Sequence, residues 1–319
     1  MRPLIAVLGP TATGKSALGL ALAERFNGEI INCDSTAVYR GFDIGTDKVP
    51  TAERRGIPHH LIDIADPTDE YTAAQFGRDA ARVIADIHAR GKLPILVGGT
   101  GFYYRALTRG LFPGPGKDAE LRARLEASAR KQGVEHLHRM VTRVDPASGA
   151  RIQPRDLKRL VRALEVYFQT GKPLTAHFED TVSPLPADVT VGAVALRMPA
   201  QWLADRLAQR VAAQFDAGLI DEIRTLLASG VPPTARPFGG LVYRQAMEYL
   251  KGVRSEADTR ALIAQENRKY ARRQLIWFKK EPNLVWFDGP GTNAEVQDSV
   301  IRELTARDLL KDGIHVADT

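Results

Sequence analysis

Residues 9–16 read GPTATGKS. Gly9, four residues, then Gly14, Lys15 and Ser16 is the spacing of a phosphate-cradling P-loop. Residues 4–8 just upstream are an unbroken apolar run that reads as a buried strand. Downstream, Leu18, Leu22 and Phe26 recur every four residues, which predicts a helix over 15–26 that stops at Asn27-Gly28. Strand, Gly-rich turn and helix together are the context a P-loop needs. There the loop built from Gly9, Pro10, Thr11, Ala12, Thr13 and Gly14 turns its N–H groups toward an anion, with the helix N-terminus behind them. Lys15 adds a point charge, and the Ser16 hydroxyl takes the position of a Mg²⁺ ligand.

The pattern continues outward. Residues 29–33 (EIINC) and 93–97 (LPILV) predict two more buried strands, and 60–64 a short third one. A helix over 71–89 lies between them, closed by Gly91 and Pro94. Apolar strands alternating with helices predict an α/β class: a P-loop NTPase-like parallel sheet flanked by helices. Prolines and glycines interrupt the pattern around 111–117, and charged helical sequence follows. Residues 117–187 therefore read as a helical insertion domain in a core made of 1–116 and 188–319. Strand character returns at 189–196, followed by helices over 200–217, 219–229 and 256–279 and a last strand over 283–287.

Composition narrows the class. The chain has 319 residues, 44% hydrophobic and 26% charged, with net charge +6. That is enough chain for a sizeable core and points weakly to an anionic partner. The single cysteine, Cys33, excludes an intramolecular disulfide framework, so a reducing, cytoplasmic setting is expected. The first apolar run is too short for a signal h-region or a membrane span, so no membrane partner is expected.

Several features carry chemistry. A nucleotide hydrolase usually places an acidic residue at the end of a buried strand, and LPILV offers none. Asp34, just past EIINC, reads either as a turn cap or as a base that takes a proton from an attacking acceptor. A base there implies transfer, not hydrolysis. Adjacent His59 and His60 point to opposite faces if they lie on a strand, which favours a structural or substrate-edge role over a metal site. Arg155, Lys158, Arg159 and Arg162 share one side of the 156–170 helix. RKYARRQLIWFKK, residues 268–280, has six basic residues, no acidic ones, and interleaved Tyr270, Trp277 and Phe278. Cations with flat rings suit single-stranded RNA, although either cluster alone also reads as a solvated helix face.

Taken in order, GPTATGKS, NCDSTAVYRGFDIGTDK, PHHLIDI, LVGGTGFYYRAL, RDLKRLVRALEVYFQTGKP, VYRQAMEYL and RRQLIWFKK resemble the tRNA dimethylallyltransferases. The resemblance runs from about residue 4 to residue 287. It implies transfer of a dimethylallyl group from dimethylallyl diphosphate to N6 of adenine 37, giving N6-dimethylallyladenosine in tRNAs that read codons starting with U. By that resemblance Thr11 to Ser16 cradle a prenyl diphosphate, with Thr13 and Lys15 closest to the leaving oxygens and Mg²⁺ on Ser16. The implied catalytic set is Asp34 as base, Thr11, Lys15 and Arg210 on the diphosphate, and Thr100 in the channel where adenine meets the prenyl chain. The implied tRNA contacts are Asp34, Ser35, Thr36, Ala37, Thr100, Arg122, Lys158, Arg159, Leu160, Val161, Arg162, Gly239, Gly240, Leu241, Val242, Tyr243 and Arg244. Two positions depart from the family pattern: Ala37 stands where Gln is common, and Val242 where Gly is usual. A monomer is expected. Three alternatives stay open: a small-molecule kinase holding ATP, a P-loop RNA-binding protein without transfer activity, and a prenyltransferase acting on free AMP.

Overall fold

The structure is a computed structural model that describes residues 2–310. The stretch 311–319 of the C-terminal reading lies outside the described residues. The chain divides into two compact units, one formed by Met1–Thr108 with Leu185–Thr319 and the other by Arg109–Pro184. The helical unit thus opens before the position 117 read from the proline–glycine cluster. Phe112 packs on its core, and the Pro115 carbonyl accepts from Arg162, so this stretch is held by the insertion.

The first unit is built on six strands: β1 (Arg2–Leu8), β2 (Gly28–Cys33), β3 (His59–His60), β4 (Leu93–Gly98), β5 (Val189–Arg197) and β6 (Leu284–Asp288). Their order is β3-β2-β4-β1-β5-β6, and every neighbouring pair is parallel. Leu4, Ile5, Ala6, Val7 and Leu8 are wholly buried, which is why this strand shows no polar alternation. The third strand is shorter than 60–64 predicts. Leu61 and Asp63 both adopt positive φ, which breaks the ladder after His60.

The helices of this unit are α1 (Lys15–Arg25), α2 (Ala73–Ala89) and α3 (Gly101–Thr108), and those of the insertion are α4 (Ala119–Gln132), α5 (Val134–Val144), α6 (Pro146–Arg151) and α7 (Leu157–Thr170). The first unit resumes with α8 (Ala200–Asp216), α9 (Leu219–Ala228), α10 (Leu241–Leu250), α11 (Glu256–Phe278) and α12 (Ala294–Ala306). The turns after β1, β2 and β4 all lie at the carboxyl end of the sheet. They bring GPTATGKS, Asp34-Ser35 and Gly99-Thr100 to one rim, where open parallel sheets bind ligands.

The insertion has its own apolar core, with Leu137, Val141, Leu160, Leu164 and Val166 fully enclosed. Inside it lies Glu165, a buried carboxylate on α7. Arg122 reaches it with Nε and Nη2 at 2.7 and 2.8 Å, Arg162 with Nη1 at 2.6 Å, and the Asp118 N–H donates at 2.9 Å. Burial alone would raise this carboxyl. The hydrogen bonds from Arg122 and Arg162 reverse that and hold it at about 2.

Stranding a buried charge is costly, so Arg122→Leu is expected to lower the stability of the insertion by about 3 kcal/mol. The Glu165 contribution is complete above the ordinary carboxylate range and is lost as pH falls from about 4.5 toward 2. Hydrogen exchange of α4 and α7 amides in the full chain, at pH 7 and pH 4, measures both effects. Unchanged protection in Arg122→Leu would show that the pair does not hold the unit together.

Candidate active site

The P-loop joins β1 to α1 in a buried turn. Ala12 and Gly14 take positive φ of 65° and 82°, which curls the backbone around a small concavity. Gly14 is required twice over. Its φ disfavours a side chain, and a Cβ would meet the Gly291 nitrogen at 2.9 Å. The Gly291 N–H in turn donates to the Thr13 carbonyl at 2.9 Å, so the segment after β6 braces the loop. Thr13 is wholly buried, and its hydroxyl donates to the Pro10 carbonyl at 2.9 Å. This places Thr13 in the wall of the loop, with its hydroxyl directed into the protein.

Lys15 Nζ donates to the same Pro10 carbonyl at 2.5 Å. Burial and the neighbouring Arg210 cation push its ammonium down to about 7, against the pull of Asp34. A phosphate anion beside it restores the charged form. Arg210 comes from α8. Its Nη1 donates to the Thr11 hydroxyl at 2.9 Å and to Asp47 Oδ2 at 2.9 Å. The Thr11 N–H donates to Gln274 Oε1 on α11 at 2.9 Å, and Gln274 Nε2 donates to the Gly99 carbonyl at 2.8 Å.

Asp47 belongs to DIGTDK, and the loop is built as a wall. Glu222 accepts from the Asp43 and Ile44 N–H groups at 2.9 and 2.8 Å. Tyr243 donates its hydroxyl to Glu222 at 2.6 Å and accepts the Gly45 N–H at 3.0 Å. A Cβ on Gly45 would fall 2.5 Å from the Tyr243 ring. Lys48 Nζ ties the far end to the Tyr39 carbonyl, Asp43 and Asp63. Burial raises the Asp47 carboxyl, and Arg210 and Gln214 oppose the shift.

On the other side, Asp34 Oδ1 accepts from the Thr36 N–H at 2.8 Å and the Thr36 hydroxyl at 2.6 Å. This is an Asx turn that fixes the carboxylate. Oδ2 accepts no hydrogen bond among the described residues. Thr100 accepts the Ser35 N–H at 3.1 Å and donates its own N–H to the Cys33 carbonyl. It also pairs with the Tyr270 hydroxyl, whose acidity falls through burial and the nearby Asp34 charge. Burial pushes the Cys33 thiol up, so it is an inert packing group.

The walls enclose a cavity of about 280 Å³. Lys15, Ser16, Arg206 and Arg210 bring cations and a hydroxyl to it, and Asp34 brings a carboxylate. Ile30, Ala37, Val49, Ile62 and Val97 line it with apolar surface. Thr11, Ala12, Gly14, Lys15, Ser16, Asp34, Ala37 and Arg210 thus share one cavity. Ser16 is an exposed hydroxyl at the start of α1, and Asp34 lines the same cavity. Such hard oxygen donors fit Mg²⁺, which needs few protein ligands beside phosphate oxygens and water.

The other expected contact residues differ in exposure. Leu160 and Val161 are core residues of the insertion, so their side chains do not reach its surface. Arg122 and Arg162 are committed to Glu165, while Lys158 and Arg159 are exposed. Val242 and Tyr243 are buried, leaving Gly239 and Arg244 as the open positions of that loop and Gly240 and Leu241 half-buried. Phe278 is buried outright, and Trp277 lies under Arg105 at 4.7 Å. Neither ring is a stacking platform. The exposed cations Arg268, Lys269, Arg272 and Arg273 remain, and Tyr270 faces the cavity. His60 pairs with Glu29 at 2.6 Å, His59 lines the cavity, and no metal-holding His/Cys/Asp/Glu group occurs among the described residues.

The site and its sheet match known proteins. The family model described as IPP transferase matches residues 37–281. A curated protein of Solibacter usitatus named tRNA dimethylallyltransferase is 48% identical over 303 residues, covering 94% of this chain and 97% of its own. The chain belongs to the IPP transferase family. A second relative of that name, from Geobacter metallireducens, is 45% identical over 93% of this chain and 96% of its own. Among solved structures, the full-length tRNA isopentenylpyrophosphate transferase of Bacillus halodurans superposes with TM-score 0.71 at 35% identity, covering 97% of both chains. A eukaryotic dimethylallyltransferase described as acting on tRNA gives TM-score 0.77 at 28% identity, covering 97% of this chain and 80% of its own. Each of these two structures covers 97% of this chain, sheet and insertion together. Among the described residues no helix is long and apolar enough to cross a membrane.

The lowered Lys15 pKa has a readable consequence. In the free site Lys15 is a cation below pH 7 and increasingly neutral above it. Affinity for a diphosphate ester is therefore expected to weaken between pH 7 and pH 9, by at most about tenfold per unit. Arginine keeps its charge, so Lys15→Arg should show a flat profile. Calorimetric titration checks this, and a flat wild-type profile would contradict it.

Proposed function

We propose that this protein is a tRNA dimethylallyltransferase that moves a dimethylallyl group from dimethylallyl diphosphate to N6 of adenine 37. Its acceptors are tRNAs that read codons beginning with U, and its product is N6-dimethylallyladenosine. The observation that carries this reading is that one cavity holds cations, a carboxylate and apolar side chains together. Lys15 and Arg210 suit a leaving diphosphate, Asp34 suits an acceptor amine, and the apolar side chains suit a short prenyl chain. The names of the relatives support the same reading.

The chemistry is substitution at an allylic carbon. The N6 lone pair forms the new N–C bond while the C–O bond to diphosphate breaks, its electron pair leaving with the oxygen. The N6 proton goes to Asp34 Oδ2, the oxygen that the Thr36 turn leaves open. Lys15, Arg210 and the loop N–H groups oppose the negative charge that grows on the departing diphosphate. Bound Mg²⁺, held through the Ser16 hydroxyl, would add charge neutralisation at the diphosphate. The apolar lining keeps water from capturing an allylic cation. The adenine must leave a stacked loop, at a cost of a few kcal/mol, and contacts outside the cavity offset it. The exposed cations of α11 and of Lys158 and Arg159, together with Ser35, Thr36 and Arg244, are the proposed sources of those contacts.

The test is direct. Purified protein, Mg²⁺, dimethylallyl diphosphate and anticodon stem-loops with A36-A37-A38 should give a dimethylallyl adduct on A37 by nucleoside mass spectrometry. Asp34→Ala should slow adduct formation by about 10² to 10⁴-fold. No adduct, with ATP consumed in the parallel reaction, would assign the loop to a kinase.

A further inference from the structure

Two arginines of α8 line the cavity one helical turn apart, Arg206 and Arg210. Their electrostatic situations differ. Arg210 already has Asp47 and the Thr11 hydroxyl. Arg206 has no carboxylate partner among the described residues. Its guanidinium lies 4.9 Å from the ring centre of Trp202, one turn earlier on the same helix. The stack fixes the plane of the guanidinium without neutralising it or using its N–H donors. A half-buried guanidinium that keeps its donors free beside Lys15 and Ser16 is electrostatically incomplete until an oxyanion reaches it.

We infer that Arg206 binds the distal phosphate of the leaving diphosphate, with Trp202 as the platform that holds it in place. The inference rests on the diphosphate reading of the cavity. Division of labour follows from the pairing. Arg210 is tied to Thr11 and so to the P-loop itself, which places it at the phosphate the loop cradles. Arg206 lies one turn away along α8 and is the cation without a competing carboxylate. A diphosphate has two charged groups, and the cavity offers a separate guanidinium for each. Asp47 fits the same scheme. It keeps Arg210 partly neutralised, so the net pull on an incoming diphosphate falls more heavily on Arg206.

The experiment is calorimetric titration of the full chain with Mg²⁺-pyrophosphate, run for wild type, Lys15→Ala, Arg206→Ala, Arg206→Lys and Trp202→Ala. Binding of an unmodified anticodon stem-loop is measured alongside. Arg206→Ala should weaken pyrophosphate binding by about 10- to 100-fold, the range for loss of a charged hydrogen-bond partner. Arg206→Lys should recover part of that loss, and Trp202→Ala should lose less than Arg206→Ala. Stem-loop affinity should stay within about twofold for every Arg206 variant. In donor turnover, Arg206→Ala should raise KM for dimethylallyl diphosphate more than it lowers kcat. Wild-type pyrophosphate affinity in both Arg206 variants would overturn the inference while leaving the diphosphate reading intact. So would a loss confined to stem-loop binding, which would assign Arg206 to the RNA backbone. Failure of wild type and Lys15→Ala alike to bind pyrophosphate would overturn the diphosphate reading and this inference with it.

Discussion

Thr11 is held from two sides, and the site depends on that hold. Its N–H donates to Gln274 on α11, and its hydroxyl accepts from Arg210 on α8. Both partners lie about two hundred or more residues away along the chain, beyond the insertion. A P-loop alone is an anion cradle made by local backbone curvature. Here it becomes part of a walled cavity because two later helices return to its rim. Gln274 extends the link to the Gly99 carbonyl at the end of β4, and Arg210 extends it to Asp47 in the DIGTDK wall. The turns that follow three different strands are thereby fixed relative to one another by four side-chain hydrogen bonds.

On the proposed reading, that arrangement lets a nucleotide-type loop serve another chemistry. The end of β4 carries Gly98-Gly99-Thr100, where a hydrolase needs a carboxylate to order its metal and water. The carboxylate is displaced to Asp34 at the end of β2, held by its own Thr36 turn with one oxygen open. The same cavity is also lined by the aliphatic side chains of Ile30, Val49, Ile62 and Val97. On the proposed reading the cations meet the negative charge that grows on the diphosphate, Asp34 accepts the proton, and the aliphatic side chains accommodate the prenyl group.

What the sequence made legible was local, and what it hid was long-range. The apolar run before GPTATGKS, the glycine spacing and the four-residue leucine period all act within a few residues of one another, so the P-loop and the parallel α/β class could be read directly. Asp34 was legible as the first polar residue beyond a buried strand, although its alternative as a cap was equally local; the structure shows it engaged in a turn and facing the cavity at once. The helices α3, α5, α6, α10 and α12 have no separate reading in the sequence, since each is short and its apolar face is defined only by what it packs against. The basic runs misled in part. Arg122 and Arg162 look like RNA contacts until Glu165, buried among leucines, claims both. Phe278 looks like a stacking ring because it sits among lysines, yet it falls on the buried face of α11 with Ala271 and Gln274. Gln274 itself offered one signal: it is an uncharged polar residue on that apolar face, and a buried amide requires partners.

The central claim is that this P-loop holds a prenyl diphosphate with Asp34 facing the reacting carbon. It is tested most directly by a crystal structure of the protein with Mg²⁺ and the unreactive thiolo analogue of dimethylallyl diphosphate. The account predicts the diphosphate on the Thr11–Ser16 backbone with Lys15 and Arg210 against it. It also predicts the prenyl chain along Ile30, Val49 and Val97, and Asp34 Oδ2 facing the open side of the allylic carbon. An analogue bound elsewhere, or a nucleotide displacing it from the loop with its base among those aliphatic side chains, would contradict the account.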